Sequence, residues 1–112
     1  MLGPMAGLLE QYMDLLSVRQ KLVASNLANA DTPGYKTRDI DFQAEFRSLV
    51  QGGAASVVEV AGLEGKHDGN NVSVDREARL LAENALRFNL AANLLRTEIQ
   101  VVRSAIQEGR NG

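Results

Sequence analysis

The chain has 112 residues, 45% of them hydrophobic but only 4% aromatic, with a net charge of −2. That length allows one small domain. The balance of charge lacks the concentrated basic face that nucleic acid requires, and the scarcity of aromatics leaves no stacking surface for bases. Without cysteine there are no disulfides, thiolate nucleophiles or thiolate-bound metals.

The N-terminal segment, Met1 to Glu10, lacks the basic start of a cleavable signal peptide, and its apolar run is too short to span a bilayer. From there Leu9, Met13, Leu16, Gln20, Val23, Leu27 and Ala30 fall at alternating spacings of four and three, which predicts a helix over about residues 5–30. Pro4 suits its first turn, where a missing N–H costs nothing.

The stretch SNLANADTPGYK, Ser25 to Lys36, ends that helix. Pro33 disfavours helical geometry at Thr32, and Thr32-Pro33-Gly34-Tyr35 fits a type II turn, with Gly34 supplying the positive φ. Asn26 and Asn29 share a face of the last turn, where their amides can bond the carbonyls freed at the helix end or the backbone of a neighbouring chain. Tyr35 and Lys36 add an amphipathic ring and a charge. On physics alone the stretch is a capped polar helix end as readily as a docking device.

Residues 37–73 are uneven. Phe42, Phe46, Leu49 and Val50 fit a short helix or a packed extended segment, and Gly52 to Ser56 is flexible in composition. Ser56 to Val60 has strand propensity, so a β-hairpin from 56–60 to 72–74 is open. Gly62 to Asn71 is turn-rich. The last segment is the most regular. Val74, Ala78, Leu81, Ala85, Phe88, Ala92, Leu95, Ile99, Val102 and Ile106 are all apolar at four–three spacing, the pattern of a coiled-coil seam. Asp75 is the expected N-cap and Gly109 the stop, giving a helix over about 75–108. The fold class is therefore mainly α: two long terminal helices packed as an antiparallel coiled coil, with a loop or short β-hairpin region between them at 31–74, all within a single domain. Leu80, Leu90, Leu94 and Val101 lie off the seam, so the helices need partners on more than one side.

No catalytic set emerges. His67 stands in a Gly-rich loop with nothing to orient it, and Asp39 and Asp41, with Arg38 between them, read as a solvated, charge-balanced stretch. A calcium loop starting at Asp68 fails, because Ser73 and Arg79 stand where Gly and Glu are required. No enzyme activity, metal, cofactor, small-molecule substrate or nucleic acid is expected.

SNLANADTPGYK resembles the signature of bacterial flagellar rod and hook proteins, in which Asn, Thr-Pro-Gly-Tyr and a basic residue follow an N-terminal helix. A second stretch, DGNNVSVDREARLLAENALRF from Asp68 to Phe88, resembles the region leading into the C-terminal helix of the proximal rod members. The likeness covers about residues 8–46 and 66–107; Ser73 and Val74 depart from it, where relatives often carry an acidic and an aliphatic residue. The resemblance implies a structural subunit exported by the flagellar type III apparatus without a cleaved signal, polymerising through its terminal helices into a torque-transmitting, channel-lining rod in the periplasmic space. Its implied partners are other copies, other rod proteins, the membrane-ring adaptor, and ring or export-gate proteins. The assembly turn would comprise Asn26, Asn29, Thr32, Pro33, Gly34, Tyr35 and Lys36, with Asp68, Gly69, Asn70, Asn71 and Val72 as the motif before the C-terminal helix. Leu9, Met13, Leu16, Val23 and Leu27 would meet Leu81, Phe88, Leu95, Ile99, Val102 and Ile106, within and between subunits. The residues themselves leave a second possibility open, a soluble helical adaptor or dimeric coiled-coil binding module.

Overall fold

The computed structural model describes residues 3–51 and 56–111, without the side chains of Leu49 and Asn111. Gly52 to Ala55, read above as flexible, lie outside the described residues. Helix α1 (Pro4–Ala28) leads through a turn to strand β1 (Arg38–Asp39), helix α2 (Phe42–Val50), strand β2 (Val58–Glu59) and helix α3 (Val74–Asn111). The molecule is an elongated antiparallel helical hairpin of 71 × 25 × 16 Å.

The two long helices pack along their length. Asn26 of α1 bonds Glu77 of α3, Gln20 bonds Asn84, and a Cβ placed on Gly3 would lie 3.7 Å from Glu98 Oε1. These three levels set the antiparallel register. Beyond Glu98, residues 99–111 of α3 project past the described start of α1, a length of about 20 Å at 1.5 Å per residue.

Both ends of α3 differ from the sequence expectation. Its N-cap is Ser73, whose hydroxyl accepts from Arg76 N–H at 3.2 Å, so Asp75 lies inside the first turn. Gly109 does not stop the helix, which runs to Asn111; glycine ends a helix by taking positive φ, and Gly109 does not adopt it.

A larger correction concerns the seam. The α3 residues buried against the rest of the chain are Glu77, Leu80, Asn84 and Ala91, with Leu95, Ile99 and Val102 half-buried. Leu81, Phe88 and Ile106 of the regular apolar stripe are 42%, 37% and 51% exposed. At 3.6 residues per turn the buried stripe is rotated by about 70° from the stripe that periodicity selects. The apolar arc of α3 is wide, and α1 covers its middle. Leu81, Phe88 and Ile106 stay open on one flank, Leu90, Leu94 and Val101 on the other.

On α1, Leu9, Leu16 and Val23 are buried as expected, whereas Met13 and Leu27 are half-buried. Leu15, fully buried, lies on the face of Tyr12 and Arg19 that receives the middle segment. There α2 sets Phe42 and Phe46 edge-on to Tyr12, with ring centroids at 5.4 and 5.7 Å. The open choice for residues 42–50 is thus settled as a helix, begun by Asp41, which accepts from Ala44 N–H. Strand β2 pairs antiparallel with β1, Arg38 opposite Glu59 and Asp39 opposite Val58, and not with 72–74. Residues 72–74 instead pass straight into α3, where Ser73 is engaged as its cap.

The seam assignment is testable in the isolated chain. Leu16→Ala, at a position 1% exposed, is expected to destabilise by about 3 kcal/mol, and Leu81→Ala by only about 0.5 kcal/mol. Urea unfolding followed by circular dichroism measures both; equal losses would put Leu81 in the intrachain seam.

Candidate functional site: a joint between two motifs

The C-terminal end of α1 is closed by its own residues. Asn29 N–H donates to the carbonyls of Ser25 and Asn26, and Asn29 Nδ2 donates again to Ser25 O at 2.8 Å. A tight turn follows, closed by Tyr35 N–H to Thr32 O at 3.2 Å, with Gly34 at φ +76°. The type II geometry read from Pro33 and Gly34 agrees with this positive φ.

The DGNNV loop closes over that turn. Asn70, fully buried, donates from Nδ2 to the carbonyls of Asn29 and Thr32, both at 2.8 Å. Its Oδ1 accepts from Val72 N–H, and Asp68 Oδ1 accepts from Asn70 N–H. Gly34 N–H donates to Asp68 O at 2.8 Å, Asn71 N–H to Tyr35 O at 3.2 Å, and Thr37 N–H to Asn71 Oδ1 at 2.6 Å. Two lysines complete the clasp, Lys66 on Ala30 O and Lys36 on Gly69 O. Gly69 sits at φ +84°, and a Cβ there would be 3.5 Å from the Cα of Gly34, so the two loops meet glycine to glycine.

Beneath the clasp lies a buried polar cluster. Asn26, 1% exposed, donates to Arg38 O at 2.8 Å and Glu77 Oε1 at 3.0 Å, and accepts from Arg38 N–H and Tyr35 Oη–H at 3.1 and 2.9 Å. All four of its hydrogen-bonding positions are used. Asp39 receives the Arg19 guanidinium as a fork at 3.0 and 2.9 Å, together with Arg76 at 2.6 Å and Ile40 N–H at 2.7 Å. Arg76 also reaches Glu77 Oε1 at 2.8 Å, while Glu77 Oε2 has no partner. The cluster ties α1, β1 and the start of α3 together.

These same stretches carry the likeness to known proteins. A family model described as "Flagella basal body rod protein" matches residues 13–36, from the middle of α1 through Lys36. The flagellar basal body rod protein FlgB of Escherichia coli (strain K12) is 32% identical, the match covering 89% of this chain and 91% of that protein. FlgB of Cereibacter sphaeroides is 35% identical over 90% of this chain and 92% of its own length. FlgB of Borrelia hermsii is 31% identical over 78% and 84%. This chain belongs to the FlgB family of flagellar basal body rod proteins. Because the first two of those matches span about nine-tenths of both proteins, the free-standing adaptor reading gives way.

Within this FlgB-family chain the two motifs form a single site. Asn26, Asn29, Tyr35, Lys36, Asn70 and Asn71 all spend hydrogen bonds inside the chain. Asn26 is therefore an internal tie and not a surface contact. Thr32, Pro33 and Gly34 remain exposed at the tip, and Val72 is buried beneath. His67 is exposed in its loop.

Sequence reasoning missed the charged half of the site. Asp39, read as solvated, is 5% exposed, because the alternation of β1 turns Arg38 outward and Asp39 inward, toward arginines from two helices. Glu77, in the first turn of α3, is fully buried. One signal was available: Glu77, Leu80, Asn84 and Ala91 share a helical face, as do Arg19 and Asn26 seven residues apart on α1. Arg19 also stacks on the Phe42 ring, 5.9 Å from its centroid.

The two buried carboxylates titrate in opposite directions. Burial pushes the Glu77 carboxyl above its ordinary value of 4.5, and the Arg76 charge and the Asn26 hydrogen bond only partly offset it. Burial pushes Asp39 the same way, but the hydrogen bonds from Arg19, Ile40 N–H and Arg76 prevail and hold it below 3.8. For Glu77 the folded state holds its proton to higher pH than the unfolded chain, so stability falls as pH rises from about 4.5 through the raised folded value, then levels. Asp39 contributes stability above 3.8 that is lost as pH falls through its depressed folded value. Glu77→Gln is expected to flatten the decline of the melting temperature as pH rises from about 4.5, measured by circular dichroism over a pH series. An unchanged slope would remove Glu77 as its source.

Proposed function

We propose that this chain, by family a structural subunit of the flagellar basal-body rod, polymerises through its terminal helices while the clasped joint fixes the angle between them. The observation that carries the reading is the uncovered apolar surface of α3. Leu81, Phe88, Leu90, Leu94, Val101 and Ile106 are each between 37% and 59% exposed on a helix that a single partner, α1, covers only in the middle. An apolar surface open on both flanks of a long helix is a surface on which other helices can lie.

In this reading the chain carries no catalytic activity. It assembles with other copies, other rod proteins, the membrane-ring adaptor, and ring or export-gate components. It reaches the periplasmic space through the flagellar type III apparatus without a cleaved signal, transmits torque and helps line the export channel. Thr32, Pro33 and Gly34, the exposed tip of the clasp, are the part of the assembly turn still free to touch a neighbour. The inward residues hold that tip in place.

A strain lacking the gene tests the reading. The wild-type gene is expected to restore basal bodies and swimming, and intact rods in its absence would overturn the rod assignment. Pro33→Ala with Gly34→Ala forces an L side chain to positive φ and loosens the turn, about 2 kcal/mol in all. Export into the periplasm should persist while complete basal bodies and swimming are lost. Normal swimming of that strain, with intact basal bodies, would remove the turn from assembly.

A further inference from the structure

Two grooves flank the α1–α3 seam. One, about 320 Å³, is lined by Leu16, Ser17 and Gln20 of α1 and by Ala85, Phe88 and Asn89 of α3. The other is lined by Leu9 and Tyr12 together with Arg87, Leu90 and Leu94. The first contains Ala85 and Phe88, members of the regular apolar stripe that α1 does not cover.

The only long segment without a helix beside it, among the described residues, is the projection of α3 from 99 to 111. It carries the continuation of that stripe, Ile99, Val102 and Ile106. Arg103 and Arg110, exposed, stand seven residues apart along one edge of the stripe. The Ser17 side of the first groove continues along α1 into exposed Glu10 and Asp14, with Lys21 at the far end beyond Gln20. The second groove has Arg87 in its lining, with Glu83 one turn away on the same helix.

We infer that residues 99–111 of one copy dock in the Leu16–Ala85–Phe88 groove of another, with Ile99, Val102 and Ile106 on the apolar floor and Arg103 and Arg110 facing Asp14 and Glu10. The inference rests on the rod reading and specifies its subunit contact. Glu10 and Asp14 give Arg103 and Arg110 acidic partners along the outer edge of this groove. The donor segment and the acceptor groove are different surfaces, so the contact is heterologous. Repeated, it gives an open helical array or a ring and not a closed two-fold dimer.

The absence of cysteine makes the contact addressable by disulfide trapping in the full-length chain. Ala85→Cys is paired in turn with Ile99→Cys, Val102→Cys and Ile106→Cys, at concentrations where the protein associates, under mild oxidation. At least one pair of single variants should cross-link when mixed, and the matching double variant should give a ladder of multimers. Adding Asp14→Lys should reduce the cross-linking severalfold, and Arg103→Glu in the same chain should restore it. Trapping of Ala85→Cys to itself alone, or of none of the three pairs, would overturn the docking. The complementation strain separates the two readings: rods that form without any cross-link sink this contact and leave the rod assignment standing. A ladder from a protein whose deletion spares the rod does the reverse.

Discussion

The saturation of Asn26 is the constraint on which the hairpin depends. It sits at 1% exposure, where an unpaired amide would cost about 1–3 kcal/mol for each group left without a partner. Only one arrangement supplies all its partners: β1 alongside for Arg38, Tyr35 folded back from the turn, and α3 entering with Glu77 inward. The end of α1, the stretch from Tyr35 to Arg38 and the distant start of α3 are thereby brought to one point. Asp39 reinforces the arrangement by joining Arg19 and Arg76 from the two helices. Such a cluster is poor evidence for great stability, because burying charge is costly. It is good evidence for a unique geometry, since removing one member strands the others at about 3–5 kcal/mol.

The molecule thus has two unlike ends. At the joint, nearly every polar atom is committed and the backbone is fixed by loop-to-loop hydrogen bonds. At the other end α3 projects alone with Val101 and Ile106 open. A subunit that must hold a defined shape and also associate benefits from this separation. The polar end sets the angle of the helices independently of any neighbour, and the apolar end is left to respond to one.

Much of this was legible in the sequence, for identifiable reasons. Helices α1 and α3 follow from long four–three repeats, and the turn from the backbone limits of Pro33 and Gly34, both local rules. The meeting of the turn with the DGNNV loop was not legible. Asn70 reaches Asn29 and Thr32 across about forty residues, and no local rule encodes a side chain capping a helix so far away in sequence. Asp39 was misread for a related reason. Arg38 and Asp41 stand close to it in the chain, and only the pairing of β1 with β2 turns it inward.

The displaced seam follows from the same logic. The residues that face α1 include Glu77 and Asn84, matched by Asn26 and Gln20. A seam carrying polar pairs at fixed levels has one satisfactory register, because sliding by a turn would bury those groups unpaired. A purely apolar stripe has no such preference, and Leu81 or Phe88 would pack equally well one turn along. Packing α1 on the mixed face makes the subunit's own register unique. The uniform face stays open, where the orientation of a partner must come from charges at its edge.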